Sequence, residues 1–135
     1  MSDKIHLKVI THEKIVYEND IDELYVQTTD GSMGILKNHV PVIATLGVGV
    51  TKVVNDKASE CIVTVGGILQ FANNQATILT DIAELECDID VARAKHAKQR
   101  AEARMKAHEE TLDIARAQMA LAKAVARISA VEKKF

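Results

Sequence analysis

Residues 76–94 read ATILTDIAELECDIDVARA, and the periodicity of the chain changes within this stretch. Before Glu84, apolar and polar residues alternate, which is the pattern of half-buried strands. After Asp88 the sequence has no Gly and no Pro, alanine is its commonest residue, and charges recur at helical spacing. The change predicts an α+β chain in which residues 1–86 form an antiparallel β-sandwich or barrel and residues 87–135 form an antiparallel α-helical hairpin.

The alternation extends back to the start of the chain. In residues 4–10 the apolar side chains of Ile5, Leu7 and Val9 share one face of a strand. Many short strands separated by turn residues are typical of a sandwich or barrel. Further strands are predicted at 23–28, 42–46, 49–54, 61–65, 68–71 and 76–80. Tight turns are predicted at Asp30-Gly31, Asn55-Asp56, Gly66-Gly67 and Asn73-Asn74, whose residues favour or tolerate positive φ.

The C-terminal region is predicted to form two helices, residues 90–106 and 112–132, with Asp88 or Asp90 and Thr111 as N-caps. The interruption between them is only a few residues long, which favours an antiparallel pair. Their apolar stripes are rich in alanine, and burial gains only about 0.8 kcal/mol per CH₂ group, so the hairpin is expected to be weakly packed. The predicted stripes are Val91, Ala94, Ala97, Ala101 and Met105 in the first helix, and Ile114, Ala117, Leu121, Val125 and Ile128 in the second.

The composition, with 47% hydrophobic and 27% charged residues, is that of a soluble globular protein. The formal charge is −6 for residues 1–87 and +4 for residues 88–135, so the two regions are expected to have different electrostatic roles. The first residues do not read as a signal peptide, and no run approaches the roughly 20 apolar residues of a membrane-spanning helix. We therefore expect the chain to stay in the compartment where it is made, with Cys61 and Cys87 as free thiols.

Signals for chemistry are sparse. The five histidines follow no metal-ligand spacing, and the glycine-containing stretch 47–52 lacks the spacing of a phosphate-binding loop. The acidic β region and the 3% aromatic content disfavour binding to nucleic acid. The sequence predicts a non-catalytic protein without a metal and without a required cofactor.

One group of cations has a spacing that brings its members together. Arg93 and Arg100 lie seven residues apart on one face of the first helix, and Lys123 and Arg127 lie four apart on the second. An antiparallel hairpin would gather all four near Asp90. Because guanidinium forks match phosphate oxygens, the cluster could bind phosphate, and a solvated basic face is the alternative.

Three segments together resemble the epsilon subunit family of the F-type ATP synthase. Residues 31–41, GSMGILKNHVP, are similar to the family's G-x-F-G-I-L-P-N-H-A-P, with Met33 in place of the usual Phe and Lys37 where Pro is common. The glycine pair Gly66-Gly67 and the later D-x-A-E are similar to a second family segment. Residues 89–94, IDVARA, match the [IL]-D-x-x-R-A nucleotide motif of bacterial members.

The resemblance implies a non-catalytic subunit of the central stalk, which couples ion translocation to ATP synthesis. In the family the β-sandwich binds the gamma subunit and the ring of c subunits, and the helical arm either folds on the sandwich or extends to the catalytic beta (and alpha) subunits and blocks ATP hydrolysis. Contact with the membrane then occurs only through the complex, at the cytoplasmic face. The implied contacts with gamma and the c-ring lie in a loop with Met33, Lys37, Asn38 and His39, and those with beta are Arg116, Lys123 and Arg127.

The resemblance also implies that ATP binds the folded arm as a regulatory ligand. Lys123 stands where an arginine is usual, so it keeps the charge and loses the bidentate fork. The residues implied for ATP are Glu84, Ile89, Asp90, Arg93, Ala94, Arg100, Lys123 and Arg127.

Two other functions are compatible with the pattern. The first is a β-domain adaptor or cochaperone that docks a basic hairpin on an acidic partner and binds no nucleotide. The second is an enzyme with its active site in the β region. Its only support is His39 beside Asn38, and a turn next to Pro41 explains those residues as well.

Overall fold

The computed structural model describes residues 4–107 and 114–132 of the chain. Within them, two five-stranded sheets precede a short 3₁₀ turn and two helices, so the predicted α+β fold is confirmed. The strands are β1 (Ile5–Ile10), β2 (Ile15–Ile21), β3 (Glu23–Thr28), β4 (Gly31–Leu36), β5 (Val42–Thr45), β6 (Val48–Asn55), β7 (Ala58–Val65), β8 (Ile68–Ala72), β9 (Gln75–Leu79) and β10 (Ile82–Leu85). The 3₁₀ turn spans Glu86–Asp88, and the helices are α1 (Val91–Ala107) and α2 (Ile114–Glu132).

The two sheets face each other across one apolar core. The first has the order β2-β1-β9-β8-β5 and the second the order β10-β7-β6-β3-β4. Neighbouring strands are antiparallel, apart from the parallel pair β1 and β9. The predicted inner face of β1 is correct, because Ile5, Leu7 and Val9 are fully buried. Other large side chains of this core are Ile21, Leu24, Val26, Ile35, Val53, Ile62, Leu69, Phe71 and Ile78.

Three strands were not predicted, and each has a weak alternation. β2 is a sheet edge with the sequence IVYENDI, and most of its side chains are at least partly exposed. β4 contains two glycines and pairs with β3 from Thr28 opposite Gly31 to Glu23 opposite Leu36. β10 is four residues long, and all of its side chains are half-buried. Edge strands need little apolar surface, so hydrogen-bonded pairing defines them better than periodicity does.

The predicted turns are confirmed by the backbone. Asn73 and Asn74 have φ of 51° and 58°, and Asp56 has φ of 50°. These are left-handed conformations that asparagine and aspartate tolerate better than most residues do. Gly67 has φ of 109° in the turn between β7 and β8, a conformation that favours glycine.

The start of α1 is fixed by one of the two N-caps proposed for it. The Oδ1 atom of Asp90 accepts the backbone N–H of Arg93 at 3.1 Å, so Asp90 and not Asp88 caps the helix. The connection was predicted at residues 107–111, and Ala107 is the last residue of α1. The rest of the connection, with the other proposed N-cap, Thr111, lies outside the described residues. The helices are antiparallel, since Nζ of Lys95, early in α1, lies 3.5 Å from Oε1 of Glu132 at the end of α2.

The hairpin lies on the sandwich through α2, which contacts β6 and β7. Ala126 and Ala130 pack against Val50, Cys61 and Val63 on the outer face of the second sheet. Helix α2 is therefore covered on two sides, by α1 and by the sheet, and small side chains allow both close approaches.

The predicted stripe of α2 is confirmed at Ala117, which is buried, and is wrong at two of its large residues because of this double contact. Ile114 and Val125 are 59% and 42% exposed, although both belong to the predicted stripe. A single 3.6-residue stripe describes a helix with one buried face and does not describe one held between two neighbours. In the described part of α2 the buried residues are all alanines, Ala117, Ala124, Ala126 and Ala130, and in α1 they are Ala94 and Ala101.

We expect Gly67→Ala to lower the free energy of unfolding by at least about 3 kcal/mol, because it adds a Cβ at positive φ against the backbone of β9. An ideal Cβ at this position would lie 2.7 Å from the Cα atom of Thr80. Gly47→Ala is the matched control, since its Cβ would meet no atom within 4 Å. Urea unfolding of both variants measures the difference, and equal stabilities would contradict the steric argument.

Stability is also expected to depend on pH through His6 of β1. Its Nδ1 lies 2.8 Å from Oδ1 of Asp20 and its Nε2 2.8 Å from Oε2 of Glu18, both on β2. Both ring nitrogens can donate only in the imidazolium form, so Asp20 first and Glu18 second raise the pKa of His6 above 6.5.

Because the pKa of His6 is higher in the folded state, its ion pairs stabilise the fold fully at pH values below the unfolded-state pKa of 6.5. This stabilisation is lost as the pH rises through the folded-state pKa. The difference in free energy of unfolding between wild type and His6→Asn should therefore be largest at low pH and shrink as the pH rises, in urea titrations from about pH 5.5 to about pH 9. His12→Asn, in the exposed turn before β2, is the control. A difference that does not change with pH would refute the role of the imidazolium.

Candidate functional site

A cavity of about 490 Å³ lies where β10, the 3₁₀ turn, α1 and α2 meet. Three arginines and three carboxylates supply its charges, and two alanines of α1 complete it. The lining residues are Glu84, Asp88, Asp90, Arg93, Ala94, Ala97, Arg100 and Arg127. Three positive and three negative formal charges balance, so an anion entering the cavity would have to compete with carboxylates already present.

The position of each helix determines which of its cations reach the cavity. The Asp90 cap sets the start of α1, and Arg93 and Arg100 follow on one face two turns apart. Arg127 comes from α2, and it reaches the cavity because Ala126 beside it rests on the sheet. The cavity thus exists only while α2 lies on the sandwich.

The shortest polar contact of the cavity joins Arg127 to Glu84. Nη2 of Arg127 donates to Oε1 at 2.6 Å, and Nε lies 3.1 Å from both carboxylate oxygens. Both side chains are 28% exposed. The pair is a two-donor, charge-assisted contact between α2 and strand β10, across 43 positions of sequence.

A second cavity of about 810 Å³ runs along the outer face of α1 and shares Asp90, Arg93 and Arg100 with the first. His96 and Gln99 line it, and sequence reasoning assigned no role to either. Arg93, His96 and Gln99 follow one another in steps of three residues, so each is a neighbour of the next on the helix surface, and this was the signal that could have found them. Asp88 was likewise considered only as an N-cap.

Two residues that were predicted to bind ATP do not line the first cavity. Ile89 packs instead against the apolar cluster formed by Val50, Val63 and the alanines of α2. Lys123 is half-buried one turn before Arg127 and is not among the lining residues. The remaining six predicted residues, Glu84, Asp90, Arg93, Ala94, Arg100 and Arg127, surround it.

The second predicted site, the loop before β5, is fixed by a pair of asparagines. The N–H of Asn38 donates to Oδ1 of Asn74 at 2.7 Å, and Nδ2 of Asn74 donates to Oδ1 of Asn38 at 3.1 Å. His39 stands edge-on to the ring of Phe71, with centroids 5.9 Å apart. Lys37 is exposed at the start of this loop.

Met33 was predicted to belong to the same loop, and this prediction was wrong. It lies within β4, opposite Val26 of β3, and its half-buried side chain packs against the sandwich core. Arg116, the third residue predicted to contact beta, is exposed in the first turn of α2.

Two searches of residues 4–107 and 114–132 gave negative results. They contain no group of three or more His, Cys, Asp or Glu side chains placed to hold a metal ion. Neither helix, over its described length, is both long and apolar enough to cross a membrane.

Both regions of the chain match models of known protein families. The β-sandwich domain model of the ATP synthase delta/epsilon chain matches residues 4–86, and the long α-helix domain model of the same chain matches residues 88–132. The chain belongs to the ATP synthase epsilon-subunit family. The resemblance drawn from the three sequence segments is thus confirmed.

Individual relatives agree with this assignment. The ATP synthase epsilon chain of Lactiplantibacillus plantarum is 44% identical over 103 residues, which cover 74% of this chain and 72% of that one. The ATP synthase epsilon chain of Halalkalibacterium halodurans is 40% identical over 102 residues, covering 76% and 77%. Family membership makes the chain a subunit of the central stalk of an F-type ATP synthase, with other subunits of that complex as partners.

The fold has counterparts among solved structures. A chain of the Euglena gracilis mitochondrial ATP synthase, seen by cryo-EM with OSCP, F1 and c-ring in rotational state 1, superposes with a TM-score of 0.81. The match covers 93% of this chain and 79% of that chain at 20% identity, and it concerns the fold alone.

Proposed function

We propose that this chain is a non-catalytic rotor subunit whose hairpin regulates ATP hydrolysis, and that ATP bound in the cavity of about 490 Å³ stabilises the closed hairpin. The observation that carries the proposal is the meeting of Arg93, Arg100 and Arg127 in that cavity. These arginines come from two helices, and the cavity that they line is completed by Glu84 of the sandwich, so a ligand that fills the cavity favours the closed position.

Phosphate is the ligand chemistry that suits the cavity. Guanidinium groups present forked donors that match phosphate oxygens, and a cavity between three of them can surround a polyphosphate chain. Residues 89–94 carry the nucleotide motif of bacterial family members at the start of α1. The cavity supplies charge and hydrogen bonds, and in the proposed role ATP is a signal and hydrolysis takes place in the beta subunits.

Ligand binding can move the hairpin because α2 is held by small side chains. A ligand that binds only the closed form stabilises it by RT ln(1 + [L]/Kd), which is about 2.7 kcal/mol at a hundredfold excess over Kd. Burial of the methyl groups of Ala126 and Ala130 contributes on the order of 0.8 kcal/mol each. The two quantities are similar in size, so ATP can decide between the closed and the open hairpin.

The proposed partners divide between the two regions. The sandwich binds gamma and the c-ring, with the loop of Lys37, Asn38 and His39 as a contact held rigid by Asn74. The opened hairpin reaches the beta (and alpha) subunits with Arg116, Lys123 and Arg127. Arg127 therefore serves either the closed cavity or the catalytic head, and the two uses exclude each other. The subunit sits peripherally at the cytoplasmic face of the membrane, within the complex.

The nucleotide site predicts that Arg93→Ala and Arg100→Ala each weaken ATP binding about tenfold, since each removes a charge-assisted hydrogen bond. Calorimetric titration of the full chain with ATP measures the change. Arg104→Ala is the matched control, because Arg104 is exposed on the same helix and does not line the cavity. Equal affinities in wild type and both cavity variants would rule out this site, as would an equal loss in the control.

Regulation by the hairpin predicts that deletion of residues 88–135 raises ATP hydrolysis by the assembled enzyme severalfold, because the inhibitory arm is gone. Hydrolysis is measured on complexes purified with either form of the subunit, and the amount of gamma that co-purifies is the control for assembly. Unchanged hydrolysis in fully assembled complexes would remove the inhibitory role.

A further inference from the structure

We propose that the Glu84 carboxylate occupies the forked donors of the Arg127 guanidinium group when no nucleotide is bound, and that this contact holds the hairpin closed. This role differs from the ligand contact that the family resemblance implies for Glu84. The part that concerns the ligand-free protein stands on the geometry alone, and the part that concerns exchange with ATP rests on the proposed function.

The geometry identifies Glu84 as a competitor of phosphate. Its two oxygens lie 2.6 Å to 3.1 Å from Nε and Nη2 of Arg127, the two donors that form one edge of the guanidinium group. A phosphate needs a pair of parallel donors of the same kind for a bidentate contact. While Glu84 holds this edge, a ligand cannot use it, so binding there replaces the Glu84 contact and does not add to it.

The pair lies at the point where the hairpin meets the sandwich. Glu84 is opposite Val63 in the pairing of β10 with β7, and Val63 belongs to the apolar cluster on which α2 rests. Arg127 follows Ala126, which packs on the same cluster. Separating α2 from the sheet therefore breaks the ion pair and the alanine packing together.

The ion pair is strong enough to influence the hairpin. Hydrogen bonds to charged groups contribute more than neutral ones, and both partners here are only 28% exposed, which limits screening by solvent. We expect removal of the Glu84 carboxylate to lower the ratio of closed to open hairpin about tenfold in the absence of ligand.

Two states of Arg127 then keep the hairpin closed. In one the fork holds Glu84, and in the other it holds a phosphate of the nucleotide. The first sets how much of the protein is closed at low ATP concentration. Without Glu84 the closed hairpin would depend on the nucleotide.

The test compares Glu84→Gln with the unchanged Glu84 chain, both at full length, with spin labels on Met119→Cys and Glu60→Cys in a Cys61→Ala and Cys87→Ser background. Cys61 is replaced because it lies under α2 and would be exposed to the label when the hairpin opens. Met119 is exposed on α2 and Glu60 is exposed on β7, so their separation reports the hairpin position. Glu102→Gln is the matched control, because the contact of Glu102 with Lys98, at 3.9 Å, stays within α1. Each protein is measured without ligand and with saturating ATP.

The expected result is a larger open fraction in Glu84→Gln without ligand, return to the closed separation with ATP, and no change in Glu102→Gln. In the ligand-free protein, adding Arg127→Gln to Glu84→Gln should cause little further opening, because both changes remove one pair. Opening without ligand that ATP does not reverse would support the Glu84 contact and count against the ATP site. A closed hairpin in ligand-free Glu84→Gln, whether or not its ATP affinity falls, would overturn the proposal.

Discussion

The candidate site depends on the contact between two alanines of α2 and the outer face of the second sheet. Ala126 and Ala130 bring the helix axis close to β6 and β7, and at that distance Arg127 reaches the edge strand β10. Because α1 lies on α2, the same contact determines where Arg93 and Arg100 stand. A larger side chain in place of either alanine would move α2, and with it every cation of the cavity, away from the sandwich.

The sandwich and the hairpin are stabilised very differently. The space between the sheets is filled by isoleucine, leucine, valine and phenylalanine side chains, which bury large apolar areas, whereas the buried residues in the described parts of both helices are alanines. The sandwich is consequently the rigid body, and the position of α2 on it is the feature that a few polar contacts can control. The Glu84–Arg127 pair is such a contact, placed at the boundary between a strongly and a weakly packed region.

The sequence predicted those features that a single chain segment encodes. Alternation identified the inner face of β1, and the change of period after Glu84 separated the sheets from the helices. Hydrogen-bonded pairing with the preceding strand, which defines the edge strands β2 and β4, leaves little trace in local periodicity, and the family resemblance had placed Met33 of β4 in a loop. In the site, helical spacing predicted the cations, but spacing cannot show that Arg127 is already engaged by a carboxylate 43 positions away.

Because of this ion pair, the proposed positions of the hairpin differ in which group binds Arg127. Its guanidinium can hold Glu84, a nucleotide phosphate or an acidic surface of the beta subunit, and each acceptor needs the same forked donors. The first two keep α2 on the sandwich and the third requires that it leave. A ligand shifts such an equilibrium only by its difference in affinity for the two positions, so the contact with Glu84 reduces the effect of ATP by the free energy that it already contributes to closure. The strength of one internal ion pair thus sets how sensitive the hairpin is to nucleotide.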